Sequence, residues 1–527
     1  MRPTHTFALR DFSINPSRLA LLCALAIVAG IAGALLAKLL LVLIGAITHF
    51  AYLGVGGDTL IQPDPYHWGL PSIAIPVIGG LIVGLIARFG SEKIRGHGIP
   101  EAIQSILERD SVIQARVAFW KPIASAVTIG TGSPFGAEGP IIMTGGAFGS
   151  LFAQYLHLSS LERRTLLVAG AAAGMAATFG APIASVLIAV ELLLFEWRPR
   201  SFIPVAVAAF VADYMRTLFI STSAPFAAVN AHVAPANAML WALGVGLCGG
   251  IVSMIMTKLV YLTEDAYSAL PIHWMWWPAI GGAIVGIGGW FVPAALGVGY
   301  PTIGAMVNGR LAVEMVIGII VVKIVIWVVS LSSGTSGGVL APLLMIGAAM
   351  GTLLALLIPG HDSGLWAIVG MAALMGGTMR APFMGTLFAL ETTRAWVLAP
   401  DVFIACIAAT AFTVVFVKRS ILTEKLARRG THVARDYAVH PLELIAVKDV
   451  MQKPSGLPAP TKILSSARVR TAADMMATTG HNVLAVVDED DTWIGTIEPA
   501  DLIRAWKIGL RAEGQRRRVR RLGFRFR

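Results

Sequence analysis

The chain has 527 residues, 56% of them hydrophobic and 13% charged, with a mean hydropathy of +0.74 and a formal charge of +11. A soluble domain carries about 25% charged residues, so these figures exclude a water-soluble globular protein and describe a polytopic membrane protein. The last 17 residues hold eight arginines against one acid, and without a folded platform or aromatic interleaving that cluster is not a nucleic-acid interface.

Residues 1–17 form a short N-terminal segment. It is assigned to the cytoplasm with the C-terminus, whose arginines then satisfy the positive-inside rule. A span takes about 20 apolar residues, and runs of that kind stand at 18–50, 71–89, 202–219, 237–261, 276–295, 312–331 and 400–417. The first run is too long for a cleaved leader and has no small-residue exit. Between the runs, 122–150, 166–195 and 338–391 are apolar but interrupted by glycine and proline. Broken helices are tolerated at membrane depth only where protein or an aqueous cavity surrounds them, which points to a transporter or channel. Cys23, Cys248 and Cys406 fall in apolar runs at no metal-ligand spacing and read as core residues. Protease-like Ser/His or His-Glu motifs are missing, so the chain is not read as an enzyme. After "LARRG" the composition turns polar, giving a linker at 431–443, a small α/β module at 444–507 and a basic tail at 508–527. Within the module, "VLAVVDEDDTWIGTIEPADLI" spells strand, acidic turn, strand and helix.

The membrane part repeats itself. "GSPFGAEGPIIMTGGAFG" (132–149) aligns with "GTSGGVLAPLLMIGAAMG" (334–351), and "APIASVLIAVE" (181–191) with "APFMGTLFALE" (381–391), at offsets of 202 and 200 residues. The spacing predicts an all-α duplicated transmembrane domain over 18–430, with halves near 18–219 and 237–430 and a site where the halves meet. In "GAEGP" and "GGVLAP" a proline precedes apolar helix formers, its proper place in a first turn. "GHGIPEAI" (96–103) has the same grammar. Each is a loop entering a helix, whose free N–H groups and positive dipole end attract an anion. One such end contributes about 0.3–1 kcal/mol at a surface and roughly 2 kcal/mol when partly buried. Three of them suit one small monovalent anion, held without a full positive charge and therefore able to leave. A carboxylate at membrane depth marks function by default. Glu138 is itself a tethered anion that blocks the site when deprotonated and swings away when protonated or displaced. The alternative, a cation transporter regulated by its polar C-terminal module, would want rings of acidic side chains or carbonyl-rich ends, and the apolar interior clearly offers only Glu138, Glu191 and Glu391 as acids.

Together these motifs resemble the CLC family of chloride channels and chloride/proton exchangers over nearly all of 18–430. "GHGIPE" is similar to the family's G-S-G-I-P, "GAEGP" to G-[RK]-E-G-P and "GGVLAP" to G-x-F-x-P, and Lys121 stands 17 residues before Glu138 as the family's lysine does. The resemblance implies inverted halves, a homodimer with one anion pathway per subunit, a bacterial inner (plasma) membrane location, and chloride with or without protons as the transported species. No cofactor is implied for transport. Glu138 takes the place of the gating glutamate and proton carrier, and His97, Gly98, Ile99, Gly136, Gly139, Val339, Leu340 and Leu422 take the anion-binding positions. His97 replaces the family's anion-contacting serine, Leu340 its phenylalanine and Leu422 its tyrosine. The exchangers' inner proton-transfer glutamate is Leu192 here, and a leucine cannot relay a proton. Leu192 and Leu422 favour an uncoupled channel over an exchanger, with Glu196 or a water chain as the substitute route should protons pass. Glu191 and Glu391 read as structural carboxylates, paired with backbone N–H groups or with nearby cations.

The polar module, opened by "VKDVM", resembles a single CBS motif, which implies pairing with a second copy across the dimer. Thr496 and Asp501 match positions at which such modules contact an adenine nucleotide, and Arg468 and Arg470 are candidates for its phosphates. A structural pairing module is favoured over a nucleotide sensor. The basic tail suits either anionic lipid or a solvated end.

Overall fold

A computed structural model describes residues 16–514 except 109, 195–196, 230–231, 233, 236, 431–441, 443–444 and 455–457. The segment before Pro16, Glu196, most of the linker and the tail beyond Gly514 lie outside the described residues. The chain divides into a helical unit, up to Arg435, and a smaller α/β unit from Asp436 on.

Two runs of eight helices make the helical unit. The first holds α1 (Pro16–Thr48), α2 (Ala74–Phe89), α3 (Ile99–Glu108), α4 (Ala115–Gly130), α5 (Glu138–Tyr155), α6 (Ser160–Phe179), α7 (Pro182–Ile188) and α8 (Pro199–Phe219). The second holds α9 (Ala238–Ser268), α10 (Trp277–Phe291), α11 (Tyr300–Val307), α12 (Val313–Ser332), α13 (Leu340–Leu354), α14 (Ser363–Met379), α15 (Pro382–Thr393) and α16 (Ala399–Phe416), with α17 (Ile421–Arg428) following. The starts of α2–α8 and α10–α16 are displaced by 198–203 residues, so the duplication read from two motifs extends over seven consecutive helices.

The halves touch reciprocally. Gly80 of α2 lies against the carbonyl of Pro278, and its counterpart Gly282 of α10 lies against the carbonyl of Pro76. Glycine at both places lets the helix backbones approach, the usual device for packing helices in lipid. Equivalent residues Gly136 and Gly338 pair antiparallel, so α5 and α13 leave the pairing in opposite directions. Reciprocal contacts and an antiparallel pairing of equivalent residues are the signature of a local two-fold axis, and the repeat is inverted.

Two carboxylates are exchanged across that axis. Glu391 accepts from the amides of Ile183 and Ala184 at 3.1 and 2.8 Å, and Glu191 accepts from those of Phe383 and Met384 at 3.4 and 2.8 Å. Pro182 and Pro382 open α7 and α15, and each helix's remaining free amides are capped by the other half. Both glutamates therefore have the structural role read from the sequence. Glu391→Ala leaves two buried amides without acceptors, and the expected loss is about 1–3 kcal/mol. A thermal melt in detergent checks it, with Glu391→Gln, which keeps one acceptor, falling between mutant and wild type.

Among the described residues, seven helical stretches are long and apolar enough to cross a membrane, and the protein is a multi-pass membrane protein. Six of the seven runs expected from the sequence reappear. The run at 276–295 does not: α10 is continuous with a 3-10 turn at Trp274–Trp276, which adds two tryptophans and a methionine, and it ends before a second turn at Pro293–Ala295. Pro293, with no amide to donate, ends it. In its place stands Leu340–Leu357, inside a stretch expected to be broken. It is 78% buried, against 33% for Pro16–Leu53, so α13 is a central helix whereas α1 turns Leu35 and Leu39 outward to lipid.

In the α/β unit, β1 (Lys462–Leu464), α18 (Val469–Thr479), β2 (Leu484–Val487), β3 (Trp493–Ile497) and α19 (Pro499–Gly514) follow in order. β1 runs parallel to β2, and β2 and β3 form an antiparallel hairpin. The expected strand, turn, strand and helix are present, with β1 and α18 added. Val447, Ile463, Val469, Leu484, Val486 and Ile497 form its core.

Candidate functional site

Two buried lysines shape the site. Lys121 of α4 donates to the carbonyls of Ile94 and Gly96 at 2.7 and 2.5 Å. Lys323 of α12 donates to those of Ala295 and Gly297 at 2.8 and 3.0 Å. Each lysine holds the loop that enters the preceding short helix, α3 or α11. The loops are "GHGIP" (96–100) and "GVGYP" (297–301), and all four of their glycines have positive φ, from 56° to 88°, a conformation that side chains resist. The second loop is missing from the expectations above, although its Gly-x-Gly-x-Pro spacing 201 residues after the first carries the signal.

The starts of α3, α5 and α13 converge as their motifs predict. The carbonyl of His97 packs on Gly139, and a Cβ on Gly139 would also stand 3.2 Å from the Cα of Gly338. Gly98 closes on the carbonyl of Gly139, and Gly136 exchanges backbone hydrogen bonds with Gly338 at 2.9 and 3.4 Å. Ile99, Val339 and Leu340 are fully buried at the helix starts. The structure thus brings together His97, Gly98, Ile99, Gly136, Gly139, Val339 and Leu340.

Glu138 is the first residue of α5 and is 0% exposed. Its carboxylate folds back over Gly136, and a Cβ on Gly338 would meet its Oε2 at 2.5 Å. The carboxylate lies near its own amide and that of Ala341, which places it over the starts of both α5 and α13. Neither oxygen completes an aligned hydrogen bond with a described group. Lys323 and Tyr300 lie within electrostatic reach of it. A negative charge thus sits between two helix N-termini, in the arrangement that binds a free anion.

On the α3 side, His97 is 3% exposed and its Nδ1 has no hydrogen-bond partner among the described residues, so that nitrogen is not spent on a backbone carbonyl. Lys425, Glu101, Lys121 and Arg429 are within electrostatic reach. Glu101 accepts from the Gly98 amide at 3.1 Å and pairs with Lys425 and Arg429 at 3.1 and 3.3 Å. Beside this network is a cavity of about 560 Å³, lined by four cations (Lys93, Arg95, Lys425 and Arg429) against three acids (Glu92, Glu101 and Glu264). Its net sign favours anions.

Leu422 is fully buried at the start of α17. Leu192 is fully buried in a π-helical turn, Ala189–Leu194. In the α/β unit Asp501 is 0% exposed, accepts from the Gln452 amide at 3.1 Å and from the backbone of Glu498 at 3.0 Å, and pairs with Arg504 at 3.1 Å. A carboxylate with this many internal partners acts as a helix cap, which weighs against its expected contact with an adenine nucleotide. Thr496, on β3, bridges through its backbone to Gln452.

A family model described as voltage gated chloride channel matches residues 79–414. The H(+)/Cl(-) exchange transporter ClcA of Klebsiella pneumoniae (strain 342) is 30% identical over 358 residues, 65% of this chain and 75% of that protein. Its namesake in Salmonella paratyphi A is 32% identical over 356 residues, with the same 65% and 75% coverage. Among solved structures, a slow cyanobacterial Cl-/H+ antiporter has a TM-score of 0.68 at 22% identity, covering 79% of this chain and 99% of that one.

Proposed function

Because the chain belongs to the voltage-gated chloride channel family, we propose that it carries chloride through the site between α5 and α13, with Glu138 as the gate. It is a membrane transporter and not an enzyme. The observation that carries the gating reading is the Glu138 carboxylate itself, buried over two helix starts near their amides with no aligned hydrogen bond among the described residues. A mobile chloride competes for the same amides. Deprotonated, the side chain holds the position; protonated, it loses its attraction to the helix ends and yields to chloride. His97 and the amide of Ile99 bound the path on the α3 side, while the Gly98 amide, expected from the sequence to bind the anion, is committed to Glu101. The basic cavity beside α17 gathers anions at the cytoplasmic mouth. The bacterial plasma membrane, cytoplasmic termini and a homodimer complete this reading, with the α/β unit as a single CBS motif that pairs with its copy.

Within it, uncoupled conduction is favoured. Leu192 and Leu422 are buried and carry no proton, while Glu191 and Glu391 are committed to helix amides. Proton-coupled exchange is the second reading, favoured by the names of the ClcA relatives. Purified protein in liposomes under a chloride gradient separates them. The reversal potential is expected to stay at the chloride equilibrium value while the pH gradient is varied. A potential that follows the pH gradient would establish exchange and require a proton route past Leu192.

A further inference from the structure

Tyr300 has no part in the transport reading so far. It opens α11, in the loop that Lys323 holds, and is the two-fold counterpart of Ile99 at the start of α3. Its ring is fixed edge-on between Phe179 and Phe226, with centroids 5.9 and 5.4 Å away. Aromatic edges of this kind orient a ring without taking up its hydroxyl. The hydroxyl is buried and has no hydrogen-bond partner among the described residues. The Glu138 carboxylate, equally buried and equally without an aligned partner, lies within electrostatic reach. Buried hydroxyls are seldom left without partners, and here a buried donor lies within electrostatic reach of a buried acceptor with no hydrogen bond between them.

We propose that Tyr300 is an anion-contacting residue of the α11 side of the path, its hydroxyl donating to a chloride that takes the position held here by the Glu138 carboxylate. The chain thereby offers a phenol at the start of α11, whereas α17 offers only the aliphatic side chain of Leu422. Lys323 supplies charge nearby, but its ammonium is engaged with two carbonyls, whereas the Tyr300 hydroxyl is uncommitted. An O–H donor also discriminates: chloride accepts along any direction, while a planar anion such as nitrate accepts well only in its own plane.

This inference rests on the gating reading of Glu138, and the test separates the two. Chloride binding is measured by titration calorimetry in detergent on Glu138→Ala, in which the carboxylate no longer competes, and on Glu138→Ala/Tyr300→Phe, with the wild type and Tyr300→Phe as the parallel pair that retains Glu138. Phenylalanine keeps the ring between Phe179 and Phe226, and an unchanged elution profile and melt establish that the double variant is folded. Loss of the hydroxyl is expected to weaken chloride about tenfold, as for a hydrogen bond to a charged partner, and to change nitrate binding less. An unchanged chloride isotherm would overturn the proposal. So would a Tyr300→Phe effect seen only with Glu138 present, since the hydroxyl would then serve the carboxylate and not the anion. If Glu138→Ala alone keeps full pH-dependent flux, the gating reading fails first, independently of Tyr300.

Discussion

Glu138→Ala is expected to free anion flux from its dependence on pH. In the wild type, acid protonates the carboxylate, cancels its attraction to the α5 and α13 starts and opens the path; alkali restores the charge and closes it. Flux should therefore rise as pH falls, and the mutant should sit at the open level throughout. Two partly buried helix ends at roughly 2 kcal/mol each correspond to several hundred-fold in occupancy at 1.4 kcal/mol per tenfold. At alkaline pH the mutant is expected to exceed the wild type by up to about that factor. Glu138→Gln, a permanent mimic of the protonated side chain, should share the loss of pH dependence. Chloride efflux from proteoliposomes across an acid-to-alkaline series reads both. Full pH dependence in the alanine variant would assign the gate to another group, and Lys323 and Tyr300 are the ionisable groups within reach.

The second large effect comes from a pair of glycines three residues apart. At Gly136 the atoms that an added Cβ meets first all belong to the Glu138 carboxylate, which can swing aside. At Gly139 the obstacles are the carbonyl of His97 and the Cα of Gly338, 3.2 Å away, which are backbone and cannot. Gly136→Ala is thus expected to eject the gate and raise flux at alkaline pH toward the Glu138→Ala level. Gly139→Ala must separate α5 from α3 or α13, and a displacement of about 1 Å in a positioned site lowers throughput on the order of a hundredfold. The same efflux assay checks both. Equal losses in the two variants would mean that Glu138 is as immovable as the backbone, and the swinging gate would be wrong.

Most of the architecture was legible because glycine, proline and a lone carboxylate are conspicuous in an apolar chain. Two short motifs were enough to find a duplication that spans seven helix pairs, since loops entering helices must keep particular residues while lipid-facing faces need only stay apolar. For the same reason hydropathy misled locally: α10 and α13 are both 15 residues long, but α10 is rich in glycine and tryptophan whereas α13 is rich in leucine and continues into a further apolar turn at Ala355–Leu357. The loop at Tyr300 passed unread because it lacks a charge, though its glycines carry the same backbone demand as those around His97. The lysines at 121 and 323 were half visible. Spacing singled out Lys121, but no sequence pattern states that each would be spent on carbonyls and not on a carboxylate. Asp501 shows the converse limit, because a motif position gives no warning that Gln452, Glu498 and Arg504 already surround the side chain.

The exchanged carboxylates also bear on how the protein is made. Glu191 emerges from the ribosome roughly 200 residues before α15, which it caps, is complete, and α7 must wait as long for Glu391. At synthesis rates of about 5–20 residues per second, that delay is on the order of 10–40 s. Throughout it the first half resides in the membrane with a charge and a helix end that only the second half can satisfy. Neither half is a finished module, and the nascent N-terminal half is a natural client for whatever shelters polar groups during insertion.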